Sequence, residues 1–267
     1  MHARTWITVA VMAATALTAC RGGFRINRFP TSDALYAAGL REYQQRHWGN
    51  AVLAFEKLTT DLGPRDSLLP RSYWYLGRAH AEQREHLLAA QSFSRLFESF
   101  VDDTLADDAA FQAAESYKRL WRKPTLDPTY GETALATYNT MLGLYGETSP
   151  HAEEARRSVI ELEQWFATKE YETGLFYFRR KAYDSANIYF LNVIERWPHV
   201  PRVRDAQLRL AESYRAIRYR EQLDETCTKL RDAYPGDEEV AEVCRGTRMV
   251  VDTTARPVPT QTPSVTP

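Results

Sequence analysis

One small residue recurs along this 267-residue chain at a nearly constant interval, and it constrains the fold more than any other feature. Gly39, Gly77, Ala114, Gly174 and Ala211 each sit inside an aromatic or leucine-rich helical pattern, at separations of 38, 37, 60 and 37 residues. Twelve residues after Gly39 comes Ala51, with Phe55 four further on; Ala89 and Phe93 follow Gly77 at the same distances, and Ala186 and Phe190 follow Gly174. Pro198 and Pro235 each lie 24 residues after their small residue. Two antiparallel helices joined by a tight turn reach the short end of the 8–10 Å packing range only when small residues face each other, and an aromatic then fills the space beside them. The interval therefore predicts stacked helix pairs, each pair one repeat.

Two departures from the interval carry information. In the third unit Pro124 and Pro128 interrupt the helical pattern over Arg122 to Thr129, and the second helix resumes at Ala134 and Tyr138. The 60-residue gap has another source: Ser149-Pro150 reads as a cap followed by proline at the first helical position, with no breaker until about Lys181. A helix of about thirty residues, roughly 45 Å long, is expected there. After Pro235-Gly236, Asp237 is placed to cap a last helix running to about Val250. The fifth unit is degenerate, with Leu223 and Cys227 at the alanine and aromatic positions.

The N-terminus has an Arg4-bearing start, an apolar stretch from Ile7 to Leu17, and then Leu17-Thr18-Ala19-Cys20. The stretch spans only about half a bilayer's hydrocarbon thickness, so it reads as an export signal. The small residues before a cysteine resemble the lipobox of bacterial lipoproteins. That resemblance implies that residues 1–19 are removed, that Cys20 carries a covalent diacylglycerol and an N-acyl chain, and that Arg21 after it directs the protein to the outer membrane, at its periplasmic face. Multiple acylation anchors a chain essentially permanently. Residues 20–31 read as the acylated cysteine and a tether, and the proline-rich segment 251–267 has little to bury and reads as disordered.

Composition narrows the function. The 34 basic side chains against 35 acidic ones give a net charge of -1, which leaves no phosphate-neutralising surface for nucleic acid. Hydrophobic residues make up 44%, too many for a disordered chain. No GxSxG, HExxH, Walker or dinucleotide motif occurs, so the chain does not read as an enzyme. His80 and His86, six apart, fall on different helix faces and form no metal pair; no cofactor beyond the lipid is expected. His47 reads as a turn residue that is hydrogen-bonded or exposed.

The small–small–aromatic–proline pattern resembles the tetratricopeptide repeat, which implies an all-α, right-handed α-solenoid of about five repeats with a long helix opening the fourth. Units one to three occupy 32–147, units four and five 148–235, and a capping helix 236–250. With the lipobox, roughly residues 17–235 resemble the BamD family of lipoproteins of the β-barrel assembly machinery. The residues that carry this are Leu35-Tyr36 with Gly39, the trio Ala51, Phe55 and Leu58, Ala186 with Pro198, and Tyr234-Pro235. The resemblance implies a scaffold in the outer membrane whose C-terminal half binds the BamA insertase and whose N-terminal half receives C-terminal signals of unfolded outer-membrane β-barrel proteins. In enteric members an arginine in the fourth unit's second helix helps bind BamA; Tyr189 stands at the matching position here.

In this repeat, positions 5, 9 and 12 of each first helix line the concave face. They are Tyr36, Leu40 and Tyr43; Trp74, Arg78 and Ala81; Phe111, Glu115 and Lys118. The aromatic ladder, flanked by Arg71 and Arg78, suits an extended peptide ending in apolar residues and a carboxylate; the alternative is packing between first helices. In the fourth unit the same positions give Tyr171, Leu175 and Phe178, an apolar surface for the insertase or a core against the long helix. Cys227 and Cys244 are either bridged across the last helix or two buried thiols. A second functional reading is a repeat scaffold lipoprotein for cell-wall enzymes or the Tol system.

Overall fold

The computed structural model describes residues 24–250. The segment expected to be a signal, the expected acylation site Cys20 and the 251–267 tail lie outside the described residues. A short 3-10 turn, Ile26–Arg28, precedes helices α1 (Ser32–Gln44), α2 (Trp48–Asp61), α3 (Leu68–Glu82), α4 (His86–Ser99), α5 (Ala106–Lys118) and α6 (Thr129–Tyr145). There follow α7 (Ala152–Arg179), α8 (Tyr183–Arg196), α9 (Arg202–Ile217), α10 (Arg220–Ala233) and α11 (Glu238–Val243). Among the described residues there is no strand. The chain forms two compact units, Met1–Leu120 with Ala136–His151, and Trp121–Leu135 with Ala152–Pro267. The connection around Arg122 to Thr129 thus goes with the second unit, where the sequence places it in the third repeat.

Contact distances explain the interval between small residues. A methyl group built on Gly77 would lie 2.7 Å from the Phe93 ring, and one on Gly174 would lie 2.6 Å from Phe190. At Gly39 it would meet Ala54 at 3.0 Å and Phe55 at 3.1 Å. In each case the second helix's aromatic ring occupies the space that glycine leaves, and the rings are fully buried. Around the first pair, Leu35, Ala51, Phe55, Leu58 and Leu76 form one apolar cluster.

The turns between paired helices repeat as well. Arg46, Arg84, Lys181 and Arg218 each adopt a left-handed backbone with φ of 60 to 65°, and each stands seven residues after its small residue. The following amide closes the helix end: His47 donates to Glu42 at 2.9 Å, Glu85 to His80 at 2.9 Å, Ala182 to Tyr177 at 3.1 Å and Tyr219 to Tyr214 at 2.9 Å. These carbonyls would otherwise be left without partners.

In the second unit the long helix α7 has 28 residues and extends roughly 42 Å. It begins at Ala152, two residues later than Pro150, because the Ser149 hydroxyl accepts the His151 amide at 3.1 Å in a turn ahead of the helix. Trp121 packs on Phe166 at 4.5 Å and Trp165 at 5.5 Å, and Lys169 donates to the Leu126 carbonyl at 3.0 Å. Gly131 makes room for that indole, since a methyl there would lie 2.1 Å from it.

At the C-terminal end, Asp237 caps α11 by accepting from Glu239 and Val240. Its carboxylate also pairs with Arg204 at 2.7 Å, which holds its pKa below the ordinary value. The last helix is shorter than the sequence suggests. It ends at Val243, not near Val250, because Cys244 is bridged to Cys227 on α10 and Gly246 follows with φ of 77°. Of the two readings of these thiols, the bridge is the one realised.

Candidate functional site

In the first unit the helix pairs leave a cavity of about 910 Å³ between α3, α4 and α5. One wall is aromatic: Trp74 packs on Phe93 with ring centroids 5.4 Å apart. Arg78 lies over the Trp74 ring at 5.8 Å and over Tyr43 at 5.3 Å, so its charge is held at the edge of the aromatic surface. Arg84, at its left-handed turn, and Arg119, just after α5, also line the space. Glu115 and Glu82 line it as acids. The Tyr138 hydroxyl donates a short hydrogen bond to the Glu115 carboxylate, and Lys118 approaches the same carboxylate at 4.0 Å. His86 completes the rim; burial lowers its pKa from 6.5, and Arg119 and Arg84 lower it further. Its imidazole is therefore neutral at neutral pH and can donate or accept a hydrogen bond.

The residues named from sequence divide into three groups. Trp74, Arg78 and Glu115 meet at this cavity. Tyr36, Leu40 and Tyr43 do not line it: they pack against the first apolar cluster, Tyr36 5.8 Å from Phe55 and Tyr43 5.4 Å from Tyr75. Burial is the main cause that raises the pKa of both tyrosines. Arg71 is exposed outside the cavity. Phe111 corrects the expected ladder, because it is only 4% exposed. It stacks on His151 at 4.5 Å, and His151 in turn bonds Asp108 at 2.7 Å. Packing, the alternative open in the sequence, therefore explains two of the three aromatics in that ladder. Arg84, Gln112 and Arg119 were not singled out from sequence, and His86 was weighed only as a metal ligand. The repeat register holds a signal for one of them, since a basic residue recurs seven positions after the small one.

The histidines outside the cavity have ordinary roles. His47 bonds Glu42 at 3.0 Å, and buried His80 bonds Glu85 at 2.7 Å. Among the described residues no group of three His, Cys, Asp or Glu side chains is placed to hold a metal. No helix among them is long and apolar enough to cross a membrane.

The second unit has a different surface. Tyr171 is 6% exposed, packed on Phe190 and covered by Arg202 at 5.0 Å, so it is core and not a docking residue. Phe178 turns toward Tyr183 and Phe190, and Leu175 is half-buried. Tyr189 stacks on Tyr177 at 5.4 Å. Beside them Phe176 is 48% exposed, with Arg180 over its ring at 3.5 Å, and Ile188 is 60% exposed. These two apolar side chains, which carry no signal in the repeat register, are exposed on the paired helices α7 and α8.

Paired helices closed by a small residue against an aromatic, repeated with basic left-handed turns and leaving a lined hollow, define an all-α repeat protein of the tetratricopeptide type. The chain belongs to the YfiO family of outer membrane lipoproteins, whose model matches residues 30–230. This is the family to which BamD belongs, as the sequence resemblance implies. No curated protein matches the chain. Solved structures similar to it include a thermophilic tetratricopeptide-repeat protein of Thermus thermophilus, at 16% identity and a TM-score of 0.35, covering 79% of this chain and 96% of that one. A second is the TPR2AB domain of yeast Sti1 in a pHSP90 complex, at 15% identity and a TM-score of 0.41, covering 80% of this chain and 81% of that one. A third, from Parabacteroides merdae, has 18% identity and a TM-score of 0.36 and covers 80% of this chain and 70% of that one.

Proposed function

We propose that the protein is a lipid-anchored scaffold of the outer-membrane β-barrel assembly complex, held at the periplasmic face through Cys20, and that it binds without performing bond chemistry. The first unit's cavity takes the C-terminal segment of an unfolded outer-membrane β-barrel protein. The observation that carries this is the pairing of the Trp74–Phe93 surface with Arg78, Arg84 and Arg119 around one hollow. An aromatic side chain of the segment lies against the half-buried Trp74 ring, which Phe93 backs from the core, while the terminal carboxylate meets the guanidinium forks. The exposed Phe176 and Ile188, next to the Tyr177–Tyr189 stack, serve as the contact for a BamA-like insertase. Apolar anchors rimmed by polar side chains are what such a contact requires.

Photo-crosslinking in cells tests both assignments. A probe at Gln112, which lines the cavity, is expected to trap barrel precursors, and a probe at Ile188 to trap the insertase. Recovery of cell-wall enzymes or Tol components from both positions would instead establish a scaffold for those systems.

A further inference from the structure

A second cavity, of about 610 Å³, lies wholly within the second unit, between the end of α9, the start of α10 and the segment that follows α11. Its lining is strongly basic: Arg215, Arg218, Arg220, Arg245 and Arg248, with Asp224 as the only acid. Five guanidinium groups against one carboxylate is an unusual concentration in a chain whose net charge is -1. The five side chains are exposed to solvent around the hollow, so their guanidinium donors can be reached by an anion that enters it.

The placement is built by several contacts. Cys244 is tied to α10 by the bridge to Cys227. Arg231 donates to the Cys244 carbonyl and, at 2.8 Å, to the Thr247 hydroxyl. Arg215 donates to the Val243 carbonyl and, at 3.1 Å, to the Arg245 carbonyl. The Arg248 amide donates to Asp224 at 3.0 Å, and the Val250 amide to the Thr228 hydroxyl at 3.0 Å. These contacts engage the backbone of the segment and fix Arg245 and Arg248 opposite Arg218 and Arg220. Among the described residues the guanidinium groups of those four arginines have no hydrogen-bond or ion-pair partner.

We infer that this cavity is a binding site for a phosphate-bearing ligand. Guanidinium forks match phosphate oxygens, and a phosphate offers more acceptor oxygens and more charge than a single carboxylate. An acidic peptide fits less well, because the only apolar lining is Tyr214 and Leu223, both buried, which leaves no subsite for side chains. The volume lies in the range of small-molecule sites. The Cys227–Cys244 bridge is then part of the site, since it carries two of the arginines into place.

The test uses the full chain with Cys20→Ala, so that no acyl group contributes. It is titrated calorimetrically with inorganic phosphate and with glycerol 3-phosphate, and sedimented with phosphatidylcholine vesicles with or without phosphatidic acid. Saturable binding of a soluble probe assigns a free phosphate ligand. Binding confined to phosphatidic acid vesicles, above the phosphatidylcholine baseline, assigns a lipid headgroup. In either case the Arg218→Ala/Arg245→Ala variant loses at least about tenfold in affinity, as expected when charge-assisted forks are removed. The Cys227→Ser/Cys244→Ser variant also binds more weakly at unchanged helical content by circular dichroism. The inference is overturned by the absence of binding to all three phosphate probes, by affinities unchanged in both variants, or by an aspartate-rich peptide that binds more tightly than any of them.

Discussion

At the scale of single residues, the fold depends on where a methyl group does not fit. Gly77 faces the Phe93 ring so closely that Gly77→Ala must push that ring out of a fully buried position. Overpacking of this kind costs about 1–3 kcal/mol, and denaturant unfolding is expected to show it. Gly49, in the first turn of α2, has nothing within 4 Å of its added methyl, so Gly49→Ala is expected to stabilise, by less than the ~1 kcal/mol of a helix-interior position. The small–aromatic pairs were legible in the sequence because they need only a fixed spacing along two adjoining helices. The fates of Phe111 and Tyr171 were not, since position 5 of a first helix is exposed or covered according to what packs over it: His151 in one case and Arg202 in the other.

His86 supplies a pH dependence at the same scale. Its folded pKa lies below the ordinary 6.5, so as pH falls the unfolded chain takes up this proton first. Its contribution to stability is complete above that value and is lost as pH drops through it. Ligand binding runs the other way, because protonation adds a positive charge beside Arg84 and Arg119. The affinity of the first unit for a peptide carboxylate is expected to rise as pH falls below 6.5 and His86 takes up its proton. Fluorescence titration of His86→Gln is expected to show that rise flattened.

At the scale of elements, two segments escaped the sequence because their order comes from partners distant along the chain. The connection after α5 is pinned by Trp121 against Phe166 and by Lys169 on the Leu126 carbonyl; its prolines announced a break but not its destination. The segment after α11 is held by arginines of α9 and α10 and by the disulfide, none of which leaves a periodic signature. The bridge spans 17 residues, and closing a loop of this size in the unfolded chain stabilises by about 3 kcal/mol. Reduction is therefore expected to lower the denaturant midpoint of the second unit. An unchanged midpoint after reduction would contradict the stabilisation assigned to the bridge.

At the scale of the whole molecule, the chain is a set of helix pairs built on one small–aromatic contact, and the pairs differ in what lines each hollow. The first unit's hollow combines rings with arginines, and the second unit offers the exposed Phe176 and Ile188 and an arginine-lined cavity at its end. The family and the repeat were readable from the sequence; the basic lining of the cavities was readable only in part, because Arg84 and Arg218 recur seven positions after their small residue whereas Arg119, Arg245 and Arg248 follow no such spacing. The central claim is that the first cavity reads a terminal carboxylate beside an aromatic residue. Its most direct test is the equilibrium binding of one short peptide ending in phenylalanine, prepared as the free acid and as the C-terminal amide. The free acid is predicted to bind about tenfold more tightly, with Arg78→Ala plus Arg84→Ala erasing the difference. Equal binding of the two peptides, or a preference that survives the loss of both arginines, would contradict it.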